Sequence, residues 1–416
     1  MKQIIRVKGT EDILPQDSFL WQFLSEEVRD VMHKYNYREI IVPVFEHTEL
    51  FARGIGSSTD IVSKEMYTMT DMGGRQITLR PEGTASVVRS YIENSLGSQS
   101  PVNKLYYFGP MFRQEKPQKG RNRQFHQFGI EIIGTDSPMA DVEGIALNMS
   151  ILSRLGLNDC KLMINSIGDE ECRPRFRKEL KSYLNSRLEN LCTDCQTRYE
   201  NNPMRVFDCK KRTCQSQLTG APVMLDFLNE ESKKHFNSVQ EGLRSLDIEY
   251  SLNKRLVRGL DYYTKTVYEI TSDSIGAQDS LSGGGRYDLL VEELGGKPTP
   301  AFGFAAGIER IVIAMKKVDN FEAPVTKPDC FIAVQNSKLL TNALVLAEKF
   351  RRECISVDID FAGRSLKAQM REANRLGVKA VVIIGENEVE KGIYTYKDMK
   401  SGEQKEYSLD EIPAVR

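Results

Sequence analysis

Five stretches of the chain concentrate side chains suited to chemistry. The first is Phe112-Arg113-Gln114-Glu115, followed by Arg121-Asn122-Arg123-Gln124-Phe125. Arginine presents a planar fork that grips phosphate oxygens and keeps its charge at neutral pH. Arg113 and Glu115, two residues apart, would share one face of a strand. With Phe125 as a stacking surface, the pattern suits a nucleotide held by its phosphates and its base. A solvated basic hairpin is the competing reading.

The second stretch, Leu79-Arg80-Pro81-Glu82-Gly83-Thr84, sets a carboxylate and a hydroxyl beside a glycine. It would suit an ammonium group, or a turn with Glu82 capping a helix that starts near Thr84. The third, Arg258-Gly259-Leu260-Asp261-Tyr262-Tyr263, is a dense polar segment between apolar runs. Tyrosine hydroxyls suit a ring nitrogen, because each donates or accepts. The fourth, Gly283-Gly284-Gly285-Arg286-Tyr287-Asp288, lets the backbone approach a ligand closely, or marks a flexible loop or bulge. The fifth, Gly303 to Arg310, leads small residues into a helix that aims Arg310.

The elements that must position these groups follow from periodicity. Residues 17–35 have helical apolar spacing. Ile40 to Val42, 77–79, 105–108 and 127–133 read as strands, the first ended by Pro43. Residues 141–155 read as a helix with Gly156 past its end. Charged helical pattern fills 170–191 and 230–246. Strands return at 267–271 and 281–286, and 305–317 reads as a helix. Residues 316–327 look like a linker. Beyond it, strands at 330–334, 355–359 and 380–384 alternate with helices at 339–350 and 366–376. That order predicts a small domain on a mostly parallel sheet. The expected class is α+β: a catalytic core over 1–320 interrupted by a helical insertion at about 170–230, then an α/β domain over 328–416.

Length and charge bound the reading. The chain has 416 residues and a formal net charge of -1, so its surface as a whole is not a nucleic-acid clamp. A local basic face stays open, because distribution rather than sum sets such a footprint. No stretch approaches the roughly 18–20 apolar residues of a membrane span. The first residues lack the apolar core of a signal peptide, so the expected location is cytoplasmic. Six of the eight cysteines fall between 160 and 214. Cys192, Cys195, Cys209 and Cys214 have a spacing resembling a four-thiolate zinc site. Reduced or packed thiols are the favoured reading and structural zinc the alternative. His126 tempts a general-base role, but packing or hydrogen bonding accounts for it better.

In this order, the segments resemble the histidyl-tRNA synthetases, a family of class II aminoacyl-tRNA synthetases. Residues 112–125 are similar to class II motif 2 and 303–310 to motif 3. The segment ending at Pro43 resembles motif 1, which in the class builds a dimer interface. Residues 258–263 and 284–288 resemble segments special to the histidine enzymes. The resemblance implies an antiparallel catalytic sheet flanked by helices, a C-terminal anticodon-binding domain, and a homodimer. It also implies ATP with Mg²⁺, L-histidine and tRNA(His) as reactants in protein biosynthesis. By the same resemblance, Arg113 and Arg258 would serve the α-phosphate, Glu115 the adenine amino group and Arg121 the terminal phosphates. Phe125 and Arg310 would sandwich the adenine. Glu82, Gly83, Thr84 and Gln127 would hold the histidine amino group. Glu131, Tyr262 and Tyr263 would face the imidazole, with Gly284 and Gly285 nearby. Lys116, Lys119 and Arg123 would guide the tRNA acceptor end. On the last basic helix, Lys367, Arg371 and Arg375 could touch phosphates or simply be solvated.

Two rivals stand beside this reading. A catalytically silent paralogue, such as the regulatory subunit of ATP phosphoribosyltransferase, would be expected to lose the motif arginines; Arg113, Arg258 and Arg310 are present. A class II enzyme for another amino acid would not be expected to carry the 258–263 segment.

Overall fold

The computed structural model describes residues 3–56, 59–118, 120–276, 280–318 and 327–408. The chain divides into two units, Met1–Ala323 and Pro324–Arg416. In chain order the first unit has strands β1 (Arg38–Glu39), β2 (Phe45–His47), β3 (Tyr67–Thr70), β4 (Gln76–Leu79), β5 (Asn103–Phe112) and β6 (Gln124–Ile133). These are followed by β7 (Lys161–Ser166), β8 (Ser251–Leu252), β9 (Thr264–Thr271), β10 (Ser280–Arg286) and β11 (Ala301–Gly307).

Eight of these form one sheet in the order β1-β5-β6-β11-β10-β9-β7-β8. Its six central strands pair antiparallel, and each edge strand pairs parallel with its neighbour. Side-chain alternation divides the sheet into two faces. Tyr106, Phe128, Ile130, Ile132, Tyr268, Phe302 and Phe304 point into a core shared with the helices Pro15–Lys34, Pro138–Arg154 and Glu230–Ser245. The intervening positions, among them Tyr107, Glu131 and Val267, face the other way. That second face carries the polar cleft.

The helices begin where local chemistry favours them. Pro15 opens the first, two residues before the expected start, because proline tolerates the first helical turn. Ser137 caps Pro138–Arg154 by accepting from the Met139 N–H at 3.3 Å.

Two elements at the eight-stranded sheet differ from expectation. Ile40–Val42 is not a strand: β1 is Arg38–Glu39, and the Val42 carbonyl accepts from Arg80 Nη1 at 2.9 Å in place of a ladder partner. The expected helix at 305–317 starts only at Ile308, because Ala305–Gly307 complete β11 between β6 and β10.

On the cleft side of the sheet the helix Arg173–Asn185 packs Phe176, Leu180 and Leu184 into the core, the helices Thr193–Asn201 and Arg212–Gln217 add Cys195 and Cys214, and the 3₁₀ turn Pro203–Asp208 adds Val206. The helical pattern expected to run to 191 ends at Asn185 and continues as a short 3₁₀ turn, Leu188–Asn190.

The second unit holds β12 (Cys330–Val334), β13 (Val357–Ile359), β14 (Ala380–Ile384), β15 (Ile393–Asp398) and β16 (Gln404–Ser408). Their order is β13-β12-β14-β15-β16, with the first three parallel. The β15–β16 hairpin is an antiparallel addition to the expected βαβαβ pattern. Its residues are mostly polar and half-exposed, so they carry little apolar periodicity.

Candidate active site

A cavity of about 840 Å³ opens on the polar face of the first unit's sheet. Its wall brings together Glu82, Thr84, Arg113, Glu115, Arg121, Phe125, Gln127, Arg258, Tyr262, Tyr263 and Arg310 from segments far apart in sequence.

One end is lined with cations. Arg113 leaves the end of β5, donates from Nε to the Pro81 carbonyl at 2.9 Å, and sets its guanidinium 5.2 Å from the Phe125 ring centroid. Arg121 pairs with Glu115 at 3.4 Å. Arg310 is fixed by donating to the carbonyls of Gly120 at 3.1 Å and Ser280 at 2.8 Å. Burial lowers its proton affinity, and the neighbouring Arg121 adds to that effect. These groups would attract polyanions, and the Phe125 ring offers a stacking face.

Arg258 lies deeper, with Nη1 donating to Glu269 at 3.2 Å. Burial opposes its charge, but Tyr263, Glu269 and Asp208 outweigh burial and hold its proton more tightly than usual. Its Nε is buried with no hydrogen-bond partner among the described residues, which leaves one donor for a ligand.

The other end is a tyrosine-lined pocket. Tyr262 and Tyr263 are buried, with ring centroids 4.7 Å apart, and Tyr287 lies 5.7 Å from Tyr262. Behind them Glu131 is wholly buried on β6, with one oxygen accepting from the Tyr287 hydroxyl. Its other oxygen has no partner at hydrogen-bond distance among the described residues. Burial pushes its carboxyl well above the usual range, while the hydroxyls of Tyr287 and, at longer range, Thr84 oppose the shift. Space for that carboxylate comes from Gly303, directly opposite in register, where a Cβ would overlap it. Gln127 Oε1, on the same face of β6, is also buried and unpartnered among the described residues.

Glu82 does what a cap does: it accepts from the N–H groups of Thr84 at 2.7 Å and Ala85 at 2.9 Å, at the start of the helix Thr84–Glu93. The cap fixes the carboxylate in the cavity wall, so the cap and ligand readings coexist. Gly83 is required by the Tyr107 ring, which a Cβ would strike.

Several expected residues sit elsewhere. Gly284 and Gly285 do not line the cavity; they are pressed against the backbones of β11 and β9, and Gly283 is the glycine that meets it. The adjacent Arg286 is fully buried in an ion pair with Asp141 at 2.5 Å, and Asp141 also binds His235 at 2.8 Å. Arg123 turns back toward the N-terminal segment, with its N–H on the Gly9 carbonyl at 2.7 Å and its guanidinium near the carbonyls of Lys8 and Glu115. It thus braces its loop, while Lys116 is exposed. Lys119 lies outside the described residues. His126 is held by Glu309 at 3.0 Å and packs edge-on against Trp21.

Sequence reasoning missed Glu65, Asp208, Arg205 and Glu269 in the wall. Glu269 had a signal, since it interrupts the apolar strand 267–271. The others lie in segments with no periodicity to read.

A model of the histidyl-tRNA synthetase family matches residues 9–171 and 177–311, and an anticodon-binding-domain model matches 329–415. The chain belongs to the histidyl-tRNA synthetase family. It is thereby a class II aminoacyl-tRNA synthetase of α+β fold with a C-terminal anticodon-binding domain. A histidine–tRNA ligase of Desulforamulus reducens is 51% identical over 98% of this chain and 97% of that relative. One of Acetivibrio thermocellus is 48% identical over 97% of each. The crystal structure of apo histidyl-tRNA synthetase from S. aureus superposes with a TM-score of 0.81 at 40% identity, covering 99% of this chain and 98% of that one. Histidyl-tRNA synthetase relatives this similar along the whole length favour the ligase over a silent regulatory paralogue.

Proposed function

We propose that the chain activates L-histidine with ATP and transfers it to tRNA(His). The observation that carries the reading is the pairing of two unlike ends in one cavity: an arginine-lined end, and a tyrosine pocket backed by the half-paired Glu131. The first suits a nucleotide triphosphate and the second an imidazole. In the first half-reaction the histidine carboxylate attacks the α-phosphorus, giving histidyl-adenylate and pyrophosphate. In the second, a 3′-terminal hydroxyl of tRNA attacks the adenylate carbonyl and AMP leaves. Neither step requires a strong base from the protein, so catalysis rests on positioning and charge.

Arg113 and Arg258 would stabilise charge on the α-phosphate, Arg121 would meet the terminal phosphates, and Glu115 would read the adenine amino group beside Phe125 and Arg310. Mg²⁺ would enter with ATP as part of the substrate; among the described residues no three carboxylates converge to form a cage. Glu82, Thr84 and Gln127 would hold the amino group, with Glu131, Tyr262 and Tyr263 around the imidazole. A buried acceptor left unpaired by an analogue costs about 1–3 kcal/mol, which gives the pocket its selectivity.

We read 1–320 as the catalytic core, about 170–230 as its insertion, and 328–416 as the anticodon-reading domain. Lys116 would meet the acceptor end. A cytoplasmic homodimer fits the exposed Ile41, Val44 and Phe45 beside the motif 1-like segment. No helix among the described residues is long and apolar enough to cross a membrane.

Histidine-dependent ATP–pyrophosphate exchange tests the activity. An active-site-titrated preparation with no exchange overturns it.

A further inference from the structure

We propose that Cys192, Cys195, Cys209 and Cys214 bind one structural zinc ion that braces the wall of the cavity. Their spacing resembles a four-thiolate site but fits reduced, packed thiols as well. The fold brings them together: all four sulfurs lie within 4.8 Å of one another. Zinc bound by four thiolates at about 2.3 Å in a tetrahedron sets its sulfurs roughly 3.8 Å apart. The Cys192 and Cys209 sulfurs are already 4.0 Å apart. Cys195, Cys209 and Cys214 are buried and Cys192 is partly so, which shields a bound ion from water. The Cys192 N–H donates to the Cys214 sulfur at 3.3 Å, a bond that stabilises thiolate charge. Four sulfurs and no oxygen donor select zinc or iron–sulfur over hard cations.

The cluster's position gives it a role. The segment between Cys195 and Cys209 runs along the cavity, which Arg205, Phe207, Asp208 and Cys209 help to line. Asn202 donates to Asp261 at 2.9 Å, and Arg205 Nη2 lies 3.8 Å from where a Cβ on Gly259 would sit. A metal cross-link at both ends of this segment would hold it against 258–263. The tyrosine pocket would then keep its shape through a metal that never touches substrate.

The test begins with the full chain purified anaerobically from zinc-supplemented medium. Elemental analysis is expected to find one zinc per chain, and X-ray absorption four sulfur neighbours near 2.3 Å. A mercurial reagent should release that zinc to a chromogenic chelator as four thiols are titrated. Protein without zinc, an iron–sulfur spectrum, or the four cysteines paired as disulfides would each overturn the site. The double variant Cys192→Ser with Cys214→Ser should lose the metal; if it does not fold, the release measurement on the unaltered chain decides. These readouts do not depend on the proposed activity. The bracing role rests on that activity and has its own arm. Zinc removal should raise the KM for histidine on the order of 10–100-fold, reversibly on zinc return. An unchanged KM after complete removal would refute the brace while leaving the site.

Discussion

Arg258 and Gly283 compete for one volume: a Cβ on Gly283 would overlap the Arg258 guanidinium. Gly283 lies on β10 opposite Glu269 of β9, the carboxylate that Arg258 binds. The glycine therefore sets where the arginine rests, and Glu269 sets its direction. Gly283→Ala should push Arg258 out of place and lower the pyrophosphate-exchange rate by about 10²-fold, since small misplacements at a reacting centre cost that much. Arg258→Ala should depress the rate constant far more than it weakens ATP binding. Comparing kcat with the KM for ATP in both variants checks this; a change confined to KM would remove Arg258 from the reaction centre.

Glu131 gives a second expectation. It does not itself line the cavity: it is fully buried behind the tyrosines, one oxygen accepting from Tyr287 and the other buried without a partner among the described residues. Glu131→Gln should raise the KM for histidine by about 10–100-fold, as expected when a buried hydrogen-bonding group behind the pocket is left mismatched at a cost of about 1–3 kcal/mol. The KM for ATP should stay within two-fold or so of its original value. Gly303→Ala should reproduce the defect, because a methyl group there occupies the carboxylate's space. Equal losses for both substrates would point to a collapsed site instead.

Much of this arrangement was legible and some was not, for physical reasons. Alternation along 127–133 told which side of β6 is core, because a strand's period is two. It could not say that Tyr287 would reach Glu131, since that contact depends on the register of β6, β11 and β10. The glycine run looked like a ligand loop; in the fold Gly284 and Gly285 accommodate neighbouring strands, and Gly283 accommodates Arg258. Arg286 shares a motif with Tyr287, yet strand alternation sends it to the opposite side, onto Asp141. The cysteine spacing raised a four-thiolate site beside the favoured reading of packed thiols; that the four sulfurs converge depends on how the turns between the pairs fold.

The C-terminal helix Leu366–Leu376 offers a third expectation. Lys367, Arg371 and Arg375 are exposed along it, and Arg375 is engaged by Glu372 at 2.5 Å. Gln369 on the buried side is tied to Val334 by bonds of 2.9 Å in both directions, so the helix is firmly seated. If the exposed face meets tRNA phosphates, Lys367→Glu with Arg371→Glu should weaken tRNA charging and reduce its salt dependence. Pyrophosphate exchange, which needs no tRNA, should be unaltered. Normal charging kinetics across a salt series would leave this face as solvated surface.

The last expectation concerns stability. Asp141 and Arg286 are both fully buried, and Arg286 also donates to the carbonyls of Thr135 at 2.8 Å and Ser137 at 3.0 Å. Burial alone would raise the Asp141 carboxyl; the Arg286 guanidinium and His235 outweigh it and hold the carboxyl below its ordinary range. A depressed folded-state value means that the unfolded chain takes up a proton first as pH falls. The stabilisation is therefore complete above about pH 4–5 and drains away as pH drops through the folded value. Asp141→Asn should cost about 3–5 kcal/mol at neutral pH, because it strands a buried guanidinium. The variant lacks the acid-labile increment, so its deficit should narrow in acid. Urea unfolding of both proteins from neutral pH down to about pH 3 measures it. A deficit that stays constant over that range would mean that Asp141 ionisation does not support Arg286.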